Sequence, residues 1–219
     1  MRVATAIALT CLTAWGAPVI GAGGQNRLSD PKVAVEQAFW TELYGAGGTS
    51  LYCGTPFTAA TDSLTASRIY SVKQIKSAMR CSTDRQCAVM NPQYLYMLAD
   101  LHNLYPALSR IETARRKAQF GELGDSVVSK FVESDCDLKT SVLWIEPRDG
   151  AKGNIARALF YMHTEYDLPL PGSLELFKAW NQLDPVDAEE KRRNERIEQL
   201  QGTRNRFIDD PAAAERLTP

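Results

Sequence analysis

The sequence predicts an α+β fold, a mainly helical single domain with a small β element in its middle. Three observations predict it. Apolar residues recur at three- and four-residue spacing through several long stretches. Capping and stop residues bracket those stretches. Strand-like runs are few and short, and no internal repeat or long low-complexity segment interrupts the pattern.

Taken in order, Arg2, an apolar run from Val3 to Trp15 and small residues from Gly21 to Gly24 form the pattern of a secretory signal peptide. The run is short for a bilayer span, and no later run is long enough for one. A core helix would need a polar face. Residues 1–24 are therefore expected to be a leader, cut between Gly21 and Gln25. Cys11 lacks the small residue that a lipid-anchor cysteine usually follows. Asp30-Pro31 is a cap followed by a proline at the first helical position. Val35, Phe39 and Leu43 then recur every four residues, and Gly45 to Gly48 end the helix. Strands are expected at Ser67–Val72, Asn103–Leu108 and Val142–Ile145, with Pro106 marking an edge. Asn91-Pro92 predicts a helix running to Leu98 or Asp100. Ile155, Leu159 and Met162 predict one from Lys152 to Tyr166. Leu174, Phe177 and Trp180 predict the next. The last runs from Asp187 to Gln201 and stops at Gly202, with Glu189 and Arg193 spaced for a pair. Residues 212–219 read as a frayed tail.

The 219 residues carry 25 basic and 26 acidic side chains; loss of Arg2 with the leader takes the net charge from −1 to −2. Any nucleic-acid surface must then be local. About 195 residues remain, enough for one domain with a sizeable core. Four cysteines remain too: Cys53, Cys81, Cys87 and Cys136. An even count in an exported chain suggests two disulfides. Spacing permits three pairings; Cys81–Cys87, closing a short loop, with Cys53–Cys136 is favoured.

Ala99-Asp100-Leu101-His102-Asn103-Leu104-Tyr105-Pro106-Ala107 resembles the A-D-L-H-N-L-x-P-A stretch of the bacterial endonuclease I family. Leu51-Tyr52-Cys53-Gly54, Glu146-Pro147-Arg148, Gly153-Asn154-Ile155-Ala156-Arg157-Ala158 and the C-terminal blocks Trp180-Asn181, Asp184-Pro185, Arg193-Asn194 and Gln201-Gly202-Thr203-Arg204-Asn205 resemble further family segments. The resemblance runs over about residues 35–211 and implies a domain at 25–211. It also implies a central ββα-metal (His-Me finger) element, periplasmic or secreted localisation, and hydrolysis of DNA or RNA. That chemistry needs a magnesium ion on oxygen ligands, a neutral histidine to take a proton from water, and an arginine to hold the charged transition state.

The resemblance also implies that the machinery has changed. The family's Glu-His pair falls on Ser67-Arg68, and an arginine cannot accept a proton at neutral pH. Moving onto Lys73-Gln74 supplies neither a metal ligand nor a base. A family arginine falls on Asp84, with Arg85 adjacent; a glutamate of one branch falls on Leu98; the metal-binding asparagine falls on Glu112. Glu112 can bind a metal, or it can close a capping box with Ser109. His102 reads as a packed histidine rather than a base, and His163 receives no catalytic role. Arg68, Arg80, Arg85, Arg110, Arg115, Arg116 and Lys117 form either a phosphate-facing patch or a solvated face. Arg204 and Arg206 are further candidates for backbone contact. The expectation is an impaired nuclease homologue that needs no cofactor and retains a local basic patch for DNA or RNA. The competing expectation is an active magnesium-dependent nuclease whose ligands come from Glu112, Asp84 and Asp100.

Overall fold

A computed structural model describes residues 23–116, 118–132 and 135–218; residues 1–22, which hold most of the expected leader and Cys11, and Lys117 lie outside the described residues. Helix α1 (Pro31–Val33) is capped by Asp30, whose carboxylate accepts from the Lys32 and Val33 amides, and it continues as a π-helix over Ala34–Leu43. Phe39 from that segment is fully buried, with Val35 and Leu43 packed beside it. The helix ends at Tyr44, and Gly47 (φ 90°) turns the chain into β1 (Gly48–Thr49) and β2 (Pro56–Phe57).

β3 (Leu64–Arg68) then pairs antiparallel with β4 (Leu104–Leu108). The predicted strand at Ser67–Val72 therefore lies three residues too late. Ser71 is the reason: it caps α2 (Val72–Ala78) in a reciprocal capping box with Gln74, which commits that stretch to a helix. α3 (Asp84–Met90) follows, and then α4 (Tyr94–Ala99). The Asn91-Pro92 helix starts at Tyr94, because Asn91 ends α3 and its side chain closes a turn onto the Gln93 amide. α5 (Ser109–Arg115) leaves β4 directly and packs on both β3 and β4. This gives the expected ββα element, with Pro106 in a two-stranded ribbon.

A third sheet joins β5 (Gln119–Phe120), β6 (Lys139–Thr140) and β7 (Trp144–Glu146) in the order β5-β7-β6, apart from the β1-β2 and β3-β4 pairs. The third predicted strand is β7, later than expected because Ser141 turns the chain onto Trp144. Three helices then match their spacing: α6 (Asp149–Tyr166), α7 (Leu174–Leu183) and α8 (Ala188–Gln201), the last ending at left-handed Gly202. The Glu189–Arg193 pair does not form. Arg193 instead points inward, donating to the Leu101 and Leu104 carbonyls and the Tyr44 hydroxyl, with its guanidinium 4.0 Å from the Tyr105 ring centroid. After α9 (Arg206–Asp209), the expected frayed tail is a 3₁₀ helix over Pro211–Arg216. Its Ala213 and Ala214 are buried, and Lys178 holds the Glu215 and Leu217 carbonyls. Both favoured disulfides are present, Cys53–Cys136 and Cys81–Cys87. Among the described residues no helix is long and apolar enough to cross a membrane.

Buried polar groups tie these elements together. The Asp100 carboxylate accepts four hydrogen bonds: from the His102 amide and Gln201 Nε2 at 2.9 Å, from Tyr161 at 3.0 Å and from Tyr166 at 2.6 Å. Asn103 brackets Tyr70, accepting from its amide and donating to its carbonyl. Arg157 meets Glu190 through two bonds inside the core, and also holds Asn181 and the Asp184 carbonyl.

Asp100→Asn is expected to lower stability by about 2–4 kcal/mol in urea unfolding, because an amide NH₂ then faces buried donors. A loss below about 0.5 kcal/mol would contradict this assignment. His102 is also fully buried, against Tyr161, with Nε2 on the Thr203 carbonyl. Burial pulls its pKa down to about 4 from 6.5. A depressed pKa stabilises the fold fully above the unfolded value and loses that stabilisation as pH falls through the folded one. Between about pH 6.5 and 4 the chain should thus lose up to about 3 kcal/mol from this group. His102→Gln should flatten the stability profile in that window, as measured by urea titrations at several pH values.

Candidate active site

The ββα element brings together three of the residues singled out in the sequence, Ser67, Arg68 and Glu112. Ser67 and Arg68 end β3, opposite Tyr105 and Leu104, while Glu112 comes from the first turn of α5. Ser67 is fully buried beneath that helix. Its hydroxyl donates to Glu112 Oε2 at 2.5 Å and lies 3.1 Å from the Tyr52 hydroxyl. The capping box expected at Ser109 and Glu112 does not form. Leu108 holds the cap position, Ser109 donates to the Asp62 carbonyl, and Glu112 is free to turn toward Ser67. Burial raises the Glu112 carboxyl above its ordinary value, opposed by Arg115, the Ser67 bond, Arg116 and Arg68.

Arg68 reaches across to α4, where Nε donates to the Leu98 carbonyl at 2.9 Å. Burial lowers its pKa, but a guanidinium remains charged in a protein. Together, Arg68, Lys73, Glu112, Arg115 and Arg116 line a cleft of roughly 320 Å³. Four cations face one carboxyl there. Lys73 was not foreseen as part of the site. The Ser71-x-x-Gln74 capping pattern was the available signal, since it puts Lys73 in the first turn of α2, beside the cleft.

The remaining candidates sit apart from this arrangement or are already engaged. Asp84 is bonded to Lys76 at 2.8 Å and to the Tyr94 hydroxyl at 2.5 Å, which hold its carboxyl below the ordinary range. Leu98 is buried and contributes only its carbonyl. Asp100 is fully buried, with both oxygens used. Arg85 is exposed at the start of α3, and Arg80, Arg110 and Arg116 are exposed as well. Arg115, expected on an outward face, is instead 3% exposed. It donates to the Ile69 carbonyl and its guanidinium lies 5.0 Å from the Phe120 ring centroid. Arg204 is not a free cation, because Glu198 and Asp209 both pair with it. Arg206 is exposed and lies over the Phe207 ring. His163 bonds the Leu168 carbonyl at 2.6 Å.

A hard divalent ion needs several oxygen ligands around one point. Among the described residues Glu112 is the one carboxyl in the cleft, it is bonded to Ser67, and guanidinium groups surround it. Among the described residues no three His, Cys, Asp or Glu side chains converge as a metal site would require. The donor set does not fit magnesium.

A family model described as Endonuclease I matches residues 32–212. The chain is 36% identical over 137 residues to an extracellular ribonuclease of Bacillus amyloliquefaciens, covering 54% of this chain and 46% of that protein. It is 33% identical over 115 residues to a periplasmic deoxyribonuclease of Aeromonas hydrophila, covering 52% and 48%. It is 31% identical over 126 residues to endonuclease-1 of Buchnera aphidicola, covering 57% and 50%. The chain thus spans about half the length of the curated relatives it matches. With the family model running through nearly all of the described fold, from α1 to the C-terminal 3₁₀ helix, the chain belongs to the endonuclease I family.

Proposed function

We propose that this chain is an exported endonuclease I homologue, with its domain at 25–211, whose phosphodiester-cutting step is lost or severely slowed and whose cleft still takes nucleic acid. Export is supported by the leader pattern, by two disulfides of a kind that persist in oxidising compartments, and by relatives named as extracellular or periplasmic nucleases. The observation that carries the functional reading is Arg68. Hydrolysis of a phosphodiester needs a group that takes a proton from the attacking water. At this position stands a cation, fixed on the Leu98 carbonyl, that has no lone pair to offer. Ser67 cannot replace a carboxylate as a metal ligand, because its hydroxyl is committed to Glu112 and Tyr52. Glu112 is likewise committed to that hydroxyl. What the cleft supplies is positive charge suited to phosphate oxygens.

The competing reading, an active magnesium enzyme built on Glu112, Asp84 and Asp100, requires three carboxyls that face one point. Here Asp84 serves Lys76 and Tyr94, while Asp100 serves the buried knot of Tyr161, Tyr166, Gln201 and His102. Neither is free to turn toward Glu112.

Plasmid digestion by the purified chain, with magnesium or manganese, decides between them. Loss of the proton acceptor alone predicts cutting at least about 100-fold slower than by a relative with the Glu-His pair. A Ser67→Glu/Arg68→His/Glu112→Asn variant is expected to gain activity. Native cutting at the rate of such a relative overturns the proposal.

A further inference from the structure

A second cleft adjoins the first. Ser71, Lys73 and Arg116 line both, so the two form one continuous groove. The second part, roughly 370 Å³, runs from those residues to Gln119, Leu143 and Trp144, and among the described residues no carboxylate lines it. Trp144 is 41% exposed although it belongs to β7. The six-membered part of its indole rests against Gly121, where an added Cβ would come within 2.6 Å of the ring. The preceding residues, Val142 and Leu143, are more exposed still, at 87% and 64%. An aromatic ring is thus backed on one side by a glycine backbone and presented on the other to a groove floored by cations. The functional reading above uses neither Trp144 nor this second part of the groove.

We propose that this groove binds single-stranded nucleic acid, with phosphates on Lys73, Arg116 and Arg68 and a base stacked on Trp144, and that it does so without a divalent metal. The inference rests on the reading that the cleft takes nucleic acid and names the form it takes. Guanidinium and ammonium groups neutralise backbone phosphates whatever the sequence. Stacking on an exposed aromatic needs a base that is not already stacked inside a duplex, so the ring discriminates for single strands. Lys73 and Arg116 connect the two ends of the groove, which lets one strand use charge and ring together. Because Arg68, Lys73, Arg115 and Arg116 line the first part of the groove, phosphate needs no bridging ion there.

The test is fluorescence anisotropy of the full chain with labelled oligothymidylate and with a hairpin duplex of similar charge, at low salt, in EDTA and again in magnesium. Tighter binding of the single strand is expected, unchanged by EDTA. Trp144→Leu, which keeps an apolar side chain against Gly121, should weaken the oligothymidylate by about tenfold and leave the duplex nearly unaffected. Trp144→Tyr should restore most of the loss. Lys73→Ala and Arg116→Ala should weaken both ligands and each lower the salt slope by about one. Equal affinity for the two forms, indifference to Trp144→Leu with circular dichroism unchanged, or a requirement for magnesium overturns the proposal. Absence of binding to either form at low salt overturns both this inference and the nucleic-acid part of the functional reading. Because EDTA removes metal-dependent cutting from the binding assay, a native chain that digests plasmid would sink the impaired-nuclease reading alone.

Discussion

The carboxylate of Asp100 is the constraint around which this fold is arranged. It lies out of reach of water and must find all its partners within the protein. It finds them on the 3₁₀ turn that follows it, on α6 and at the end of α8. A buried carboxylate without these donors would be strongly destabilising, so the three elements are fixed relative to one another by one side chain. The next two polar residues continue the pattern: His102 reaches the Thr203 carbonyl, and Asn103 holds Tyr70 at the exit of β3. The A-D-L-H-N block is therefore a buried polar knot, and its histidine is a core residue.

That knot also fixes the frame on which the site stands. β4 starts directly after Asn103, and its pairing with β3 is secured at one end by the Asn103–Tyr70 exchange. α5 follows β4 without a linker. The geometry of the ββα element is thus set from behind, by groups that never touch the cleft. Ser67, Arg68 and Glu112 stand on a scaffold that does not need them to carry any particular chemistry. The Ser67–Glu112 bond shows the local adjustment: a carboxylate at the edge of a crowded cationic cleft takes a hydroxyl partner beside it.

The long helices were legible because each carries both a period and an end signal. α6, α7 and α8 bury apolar stripes, and Gly202 takes the left-handed conformation that its position past Gln201 implied. The short helices were less legible. α2 and α3 have seven residues each, too few for a period to stand out, and their caps Ser71 and Thr83 lie beside runs that read as strand or loop. Polar burial was the hardest feature to read. Arg115, Arg157 and Arg193 look like surface cations in the sequence, yet all three are buried, because backbone carbonyls, a carboxylate and aromatic faces wait for them. Nothing in residue type distinguishes them from Arg116, which is exposed. Trp144 illustrates the converse: it stands in a strand, yet its ring is exposed over Gly121 beside an open turn, and nothing in residue type marks it.

Charge decides which ligand the cleft prefers. A chain of net charge −1 has no general attraction for a polyanion, and beyond about 8 Å at physiological salt its outlying carboxylates are screened from the groove. What matters is the lining of the cleft, where among the described residues Arg68, Lys73, Arg115 and Arg116 face Glu112 as the one carboxyl. Placing a divalent cation among four positive groups would add repulsion from each, with one already bonded carboxyl to set against it. A phosphate meets the opposite balance, and the guanidinium fork suits its oxygens. At Arg68 the cleft therefore presents a fixed positive group that favours an anion and opposes a cation.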